Sequence, residues 1–148
     1  MTTRNQVFIS YSHRDIHFLE EFQPHLTFLE KRSLVDFWND RKIQSGAKWR
    51  NEIEQALART KVAILLVSAD FLVSDFINEH ELPVLLEAAH RGEVTIWPII
   101  VGSCLFTQSP LSAFQASNDP TRPLDALKRS ERENVWARVA ARLASSLK

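Results

Sequence analysis

The sequence predicts an α/β domain, a doubly wound parallel sheet of four to five strands in the order 2-1-3-4-5, held as the middle of three layers between helices. Three observations carry this reading. Short apolar runs at Gln6–Tyr11, Leu34–Trp38, Val62–Val67 and Val94–Val101 alternate along the chain with segments whose apolar residues recur at spacings of three and four. The run Val62–Val67 is apolar throughout and closes on the polar turn at Ser68 and Asp70, the pattern of a strand covered on both faces. The resulting order, β-α-β-α-β-α-β-(β)-α, puts a crossover between successive strands, and right-handed crossovers build one parallel sheet with helices on both sides.

Gln6–Tyr11 supplies the first strand, and Ser12 with Asp15 forms an S-x-x-D helix start. Leu19, Phe22, Leu26 and Leu29 then mark one apolar helical face, which Pro24 is expected to kink. Leu34–Trp38 is the second strand, and Asn39–Lys48 is a polar loop carrying Gly46. Trp49, Ile53 and Leu57, four apart, announce the next helix. After the third strand the chain is helical to about Arg91, with Gly92 as the C-cap. Within the fourth strand Pro98 cannot donate to a ladder, which predicts a bulge or a sheet edge. Pro110, Pro120 and Pro123 predict a long irregular connection over 102–129, with room for a short fifth strand near Phe114. Ser130 and Glu133 read as a capping box for a last helix with Val135, Trp136, Val139, Leu143 and Leu147 inward.

Composition narrows the function. A chain of 148 residues is expected to form one domain, 1–148, that buries its core without disulfide or metal. Eighteen basic residues offset eighteen acidic ones, so no overall field draws the protein to nucleic acid or an anionic membrane, whereas neutrality tolerates self-association. The lone Cys104 excludes an intrachain disulfide and a cysteine metal cluster, and it fits a reducing compartment. The start MTTRNQ lacks a signal-peptide core and no apolar run reaches transmembrane length, so a soluble, cytoplasmic protein is expected.

In doubly wound sheets ligands sit at the carboxyl ends of the strands where the strand order reverses, here between strands one and three. That geometry brings Tyr11, Ser12 and His13 beside Ser68, Ala69 and Asp70, with loop 39–48 as a rim. Three glycines, Gly46, Gly92 and Gly102, leave no phosphate-cradling loop or dinucleotide fingerprint. Ser68 stands where a phospho-accepting receiver would need an aspartate, no G-x-S-x-G elbow occurs, and the five histidines show no zinc-ligand pattern. The segment Phe76–Glu81 remains, an aromatic followed by Asn78, Glu79, His80 and Glu81. One carboxylate there could oppose an oxocarbenium-like charge, and a leaving group that is already cationic, such as the nicotinamide of NAD⁺, departs neutral without needing an acid. Each residue also has a plain structural reading. Glu81 suits a solvated helix start, Phe76 a core position, Trp49 and Glu52 a buried anchor with an ion pair, Asp40 and Arg41 a loop pair, and His13 and His80 the surface.

The runs Val7–Ser12, Trp49-x-x-Glu52-Ile53-x-x-Ala56-Leu57, Val62–Val67 and Ser74–Phe76, in this order and spacing, resemble the Toll/interleukin-1 receptor (TIR) domain in its bacterial form. The resemblance covers nearly the whole chain and implies the flavodoxin-like version of the sheet described above. It implies one of two functions: cleavage of NAD⁺ at the nicotinamide–ribose bond in bacterial immune or stress signalling such as antiphage defence, or assembly through TIR–TIR contacts without catalysis. In the enzymatic members a glutamate follows a Ser-x-aromatic motif, which maps here onto Ser74, Phe76 and a catalytic Glu81. The usual spacing is four residues, yet the fourth residue after Phe76 is His80; a looser turn ahead of Pro83 would return Glu81 to register, with Glu79 as the fallback. By the same resemblance Phe8, Ser10, Tyr11, Ser12 and His13 would border the substrate, together with Trp49 and the Asp40–Gly46 loop, Arg41 included, that also mediates assembly. NAD⁺ would be substrate rather than cofactor. Such a domain is commonly joined to a sensor, which leaves open that 1–148 is part of a longer chain.

Overall fold

The computed structural model describes residues 4–32, 36–38 and 49–147, with backbone alone for 36–38, 49 and 50. Loop 39–48, with Asp40, Arg41 and Gly46, lies outside the described residues, and so does the side chain of Trp49.

Strands β1 (Gln6–Tyr11), β2 (Asp36–Trp38), β3 (Thr60–Val67) and β4 (Thr95–Ile100) form one parallel sheet in the order β2-β1-β3-β4. β1 and β3 pair in register from Val7↔Val62 to Tyr11↔Leu66, and β3 and β4 from Val62↔Thr95 to Val67↔Ile100. The period-two geometry of a strand then divides the core into two. Val7, Ile9, Tyr11, Ile64, Leu66, Trp97 and Ile99 face α1 (Ile16–Lys31) and α5 (Arg129–Ser146). Phe8, Ala63, Leu65, Val67, Ile96 and Ile100 face α2 (Trp49–Arg59), α3 (Ala69–Val73) and α4 (Leu82–His90). These are the three layers of a doubly wound domain.

On the first face, Phe22 stacks on the fully buried Trp136 with ring centroids 4.7 Å apart. Beside that stack the Arg132 guanidinium donates to both Glu21 oxygens, at 2.9–3.1 Å, and Trp136 Nε1 donates to Oε1 at 3.1 Å. Helix α1 runs through Pro24 without a break. Helix α5 starts one residue before Ser130, at Arg129, where the Glu131 carboxylate accepts from the Lys128 N–H; Ser130 and Glu133 therefore do not form its cap. Gly92 (φ 76°) ends α4 as expected: its N–H reaches the Ala89 carbonyl and that of Glu93 the Ala88 carbonyl, a Schellman closure.

The fifth strand is absent from the described residues. The segment 102–128 holds three 3₁₀ turns, Phe106–Gln108, Pro110–Ala113 and Leu124–Ala126, and no strand. Its prolines cannot supply a ladder of donors, and other groups cover the free edge of β4. Ser117 N–H donates to the Pro98 carbonyl (2.8 Å), and the Asn118 side chain accepts from Ile100 N–H (2.8 Å) while donating to Ile100 C=O (2.9 Å). Asn118 thus supplies with one amide what two residues of a paired strand would supply. Pro98 sits on this edge with no register shift, so of the two expectations the edge is the one realised. No described helix is long and apolar enough to cross a membrane.

Candidate functional site

The loops after β1 and β3 meet at the carboxyl end of the sheet, where the order reverses. Ser12 opens the first loop, its Oγ accepting from Arg14 N–H, and a 3₁₀ turn over His13–Asp15 delivers Asp15 inward. The buried Asp15 carboxylate accepts from Ser68 Oγ at 2.5 Å, and Ser68 Oγ in turn accepts from Phe71 N–H as the N-cap of α3. Burial pushes the Asp15 carboxyl above the ordinary aspartate value, with Asp70 and Asp125 adding to the effect against the Ser68 hydrogen bond and His17. Nothing in the sequence singled Asp15 out beyond its capping position. It is nonetheless the side chain that ties the two loops together.

Between α3 and α4 the chain makes a turn of a different kind. Ser74 Oγ accepts from Ile77 N–H at 3.3 Å, and the Asn78 side chain donates to the carbonyls of Leu72 and Ser74. Residues Ile77–Glu81 then form a π-helix, in which the Leu82 N–H reaches back five residues to the Ile77 carbonyl. Pro83 is the second residue of the following α-helix, where it has no N–H to give and its ring would crowd the Glu79 carbonyl in a regular α-turn. Wide turns of this sort hold one extra residue and concentrate at functional sites. This one absorbs the extra residue that sets Glu81 five, rather than four, places after Phe76.

The consequence is a clear difference between the two glutamates. Glu79 points outward with 68% of its side chain exposed, 4.0 Å from His80. Glu81 is 3% exposed, and its Oε1 accepts from Ser10 Oγ at 2.5 Å, across 71 residues of sequence. That length is typical of a hydroxyl donating to a carboxylate. Ser10 belongs to β1, on the same face as Phe8, so the carboxylate is held against a central strand near the switch point.

The other expected site residues divide by burial. Phe8 (1% exposed) and Tyr11 (4% exposed) are core side chains on opposite faces of the sheet, because they lie three apart on one strand. The Tyr11 ring lies 5.9 Å from that of the exposed His13. Phe76 packs against the α2–α4 core, its ring 5.3 Å from that of His80. Ser74 acts on the backbone as a cap, as Ser12 does. Beyond them, Leu72, Leu82, Leu86, Leu105, Leu111 and Asn78 line a groove of about 580 Å³, with Leu105 66% exposed at its edge.

Comparison with known proteins agrees with this architecture. A crystal structure of the TIR domain of the Toll-related receptor TRR-2 from Hydra magnipapillata superposes with a TM-score of 0.56 at 17% identity, over 94% of this chain and 97% of the other, and so shares the fold. The uncharacterized protein y4lF of the bacterium Sinorhizobium fredii is 30% identical over 118 residues; the match takes in 80% of this chain but 36% of that relative's length. A TIR domain family model matches residues 7–140, from the second residue of β1 into α5, and the chain belongs to the TIR domain family.

Proposed function

We propose that this TIR domain is a NAD⁺ glycohydrolase that cleaves the nicotinamide–ribose bond when copies of it assemble, in a cytoplasmic bacterial immune or stress response. The observation that carries the reading is the Glu81 carboxylate, drawn in by the π turn and held by Ser10 at the switch point of the sheet. As nicotinamide leaves as a neutral base, positive charge develops on the ribose, and a fixed carboxylate opposes it without having to reorganise. Removal of one such preorganised group costs about 10²–10³ in turnover in well-studied enzymes. A carboxylate 3% exposed meets a ribose only after neighbouring chain moves, which supports a site that opens on assembly. The resemblance assigns that movement to the Asp40–Gly46 loop.

The test is nicotinamide release from NAD⁺ by concentrated protein, followed by chromatography for the wild type, Glu81→Ala and Glu81→Gln. Both variants should lose release by about 10²-fold or more, while the wild type turns over and gives linear or cyclic ADP-ribose. Release by Glu81→Ala equal to the wild type would reject the proposal.

The enclosure of Glu81 also favours a second reading, in which the domain is an assembly module and the carboxylate only a buried tie between α4 and β1. The groove edged by Leu105 supplies apolar surface for such contacts. Under this reading charge reversal at Asp40 or Arg41 abolishes assembly, and NAD⁺ is never consumed.

A further inference from the structure

We infer that Ser10 is a positioning residue, acting on the substrate only through Glu81 and fixing the direction of its carboxylate; this rests on the glycohydrolase reading above. By resemblance alone Ser10 would border the substrate. Its place in the fold argues otherwise. Ser10 is 1% exposed and lies on β1, which is paired with β2 on one side and β3 on the other. The opposite-face neighbours Ile9 and Tyr11 are core, and so is Phe8 beside it on its own face. The Ser10 hydroxyl gives its one proton to the Glu81 carboxylate, and it sits on a strand paired on both sides.

Glu81 is the opposite case. It has a long side chain on the last residue of a π turn, with backbone angles (φ −111°, ψ −57°) away from those of a regular helix. Such a side chain needs an external reference to hold one direction, and sites that react well have reacting groups locked by a supporting hydrogen bond from a rigid element. The Ser10 Oγ–Glu81 Oε1 bond of 2.5 Å is that reference. It fixes one carboxylate oxygen and so sets where the other is aimed. Around Ser10 on this face, Phe8, Ala63, Leu65, Val67, Ile96 and Ile100 are all apolar.

The experiment compares nicotinamide release and NAD⁺ affinity for wild type, Ser10→Ala, Ser10→Thr and Ser10→Cys, at a temperature where circular dichroism shows each to be folded. Ser10→Ala should lower kcat by about 10- to 100-fold with KM within about twofold, since it leaves binding groups in place and misdirects the reacting one. Ser10→Thr keeps a hydroxyl and should restore most of the loss, with Ser10→Cys, a weak donor, between the two. A Ser10→Ala effect confined to KM, or a kcat equal to wild type, overturns the inference, and so does failure of a folded Ser10→Thr to exceed Ser10→Ala. Absence of turnover in assembled wild type is a different result: it removes the glycohydrolase reading itself and the role of Ser10 with it.

Discussion

Deleting Glu79 takes one residue out of the π turn and leaves Ile77 and Glu81, the two buried residues of that turn, in the chain. Each residue of a regular helix turns the backbone by about 100° and raises it by about 1.5 Å. One residue too many in an unbroken helix would therefore swing Leu82, Leu85 and Ala88, all buried, about a quarter of a turn off the sheet. The π turn prevents this by taking up the excess locally. Made in a Pro83→Ala background, which removes the ring that would press on the carbonyl four residues back and restores an N–H, the deletion should convert it to a regular turn in which Glu81 stands four residues after Phe76 and still meets Ser10. Restoring a better-formed backbone hydrogen bond gains about 0.5–1.5 kcal/mol, and a domain of this size shifts by roughly 2–4 °C per kcal/mol. Relative to Pro83→Ala alone, the melting temperature by circular dichroism should therefore hold or rise by about 1–6 °C. Nicotinamide release should stay within about tenfold of wild type, whereas a reacting Glu79 would leave none. The control is deletion of the exposed Val84, which lies after Glu81 and turns Leu85 and Ala88 out of the core. Losing the Leu85 contacts alone costs about 2–5 kcal/mol, a fall of about 4 °C or more. If the Glu79 deletion melts as low as the Val84 deletion, the π turn is required by packing and the idea of an absorbed residue is wrong.

Three further outcomes follow from the same structure. Asn118→Ala leaves Ile100 N–H and C=O buried without their partners at the β4 edge, which should cost about 2–5 kcal/mol, read as a lower urea midpoint with unchanged slope; Asn118→Asp, which keeps the acceptor only, should fall between. At Glu21, burial alone would raise the carboxyl, but hydrogen bonds from Arg132 and Trp136 outweigh it and hold the group below its usual range. The advantage of wild type over Arg132→Met should thus be full at neutral pH and vanish as pH falls through that lowered titration, in urea series run at both ends. Asp15 has the reverse sign: its raised carboxyl means the folded protein binds the proton more tightly, so ionised Asp15 costs stability. Asp15→Asn should then be stabilising at neutral pH, and the gain should fade as pH drops toward the ordinary aspartate value.

The layers were legible because strand and helix periods differ. Four apolar runs and the helical spacings between them marked the strands, the common order of doubly wound sheets arranged them, and of the bulge or edge expected at Pro98 the structure has the edge. The fifth strand was expected where a turn-rich segment must pass β4. What completes β4 is an amide side chain, and one asparagine leaves no periodic trace. The start of α5 was missed for a related reason. Ser130 and Glu133 satisfy the spacing of a capping box, but Glu131 offers the same carboxylate two residues earlier, and the chain uses it. Local capping signals state that a helix begins nearby; competition between neighbouring carboxylates decides the residue.

The candidate site turns on a similar ambiguity with a larger consequence. Glu79 and Glu81 are two apart, so on any helix they face different directions, and sequence cannot say which faces inward without knowing whether the turn is α or π. Pro83 was the local sign of a wider turn, since a regular one would press its ring against the Glu79 carbonyl. A second sign was available in β1. Ser10 occupies an inward position next to Phe8, on a central strand of a sheet covered on both faces, and a buried hydroxyl there must find a partner. β3 offers Ala63, Leu65 and Val67 on that face, all apolar, and the partner comes from the helical layer over the carboxyl end of the sheet. In the structure the acidic residue that reaches Ser10 is Glu81, at the end of the turn and two before Pro83. A polar residue on the covered face of an inner strand therefore points to a site as strongly as the carboxylate it binds, and it can be found by counting in twos.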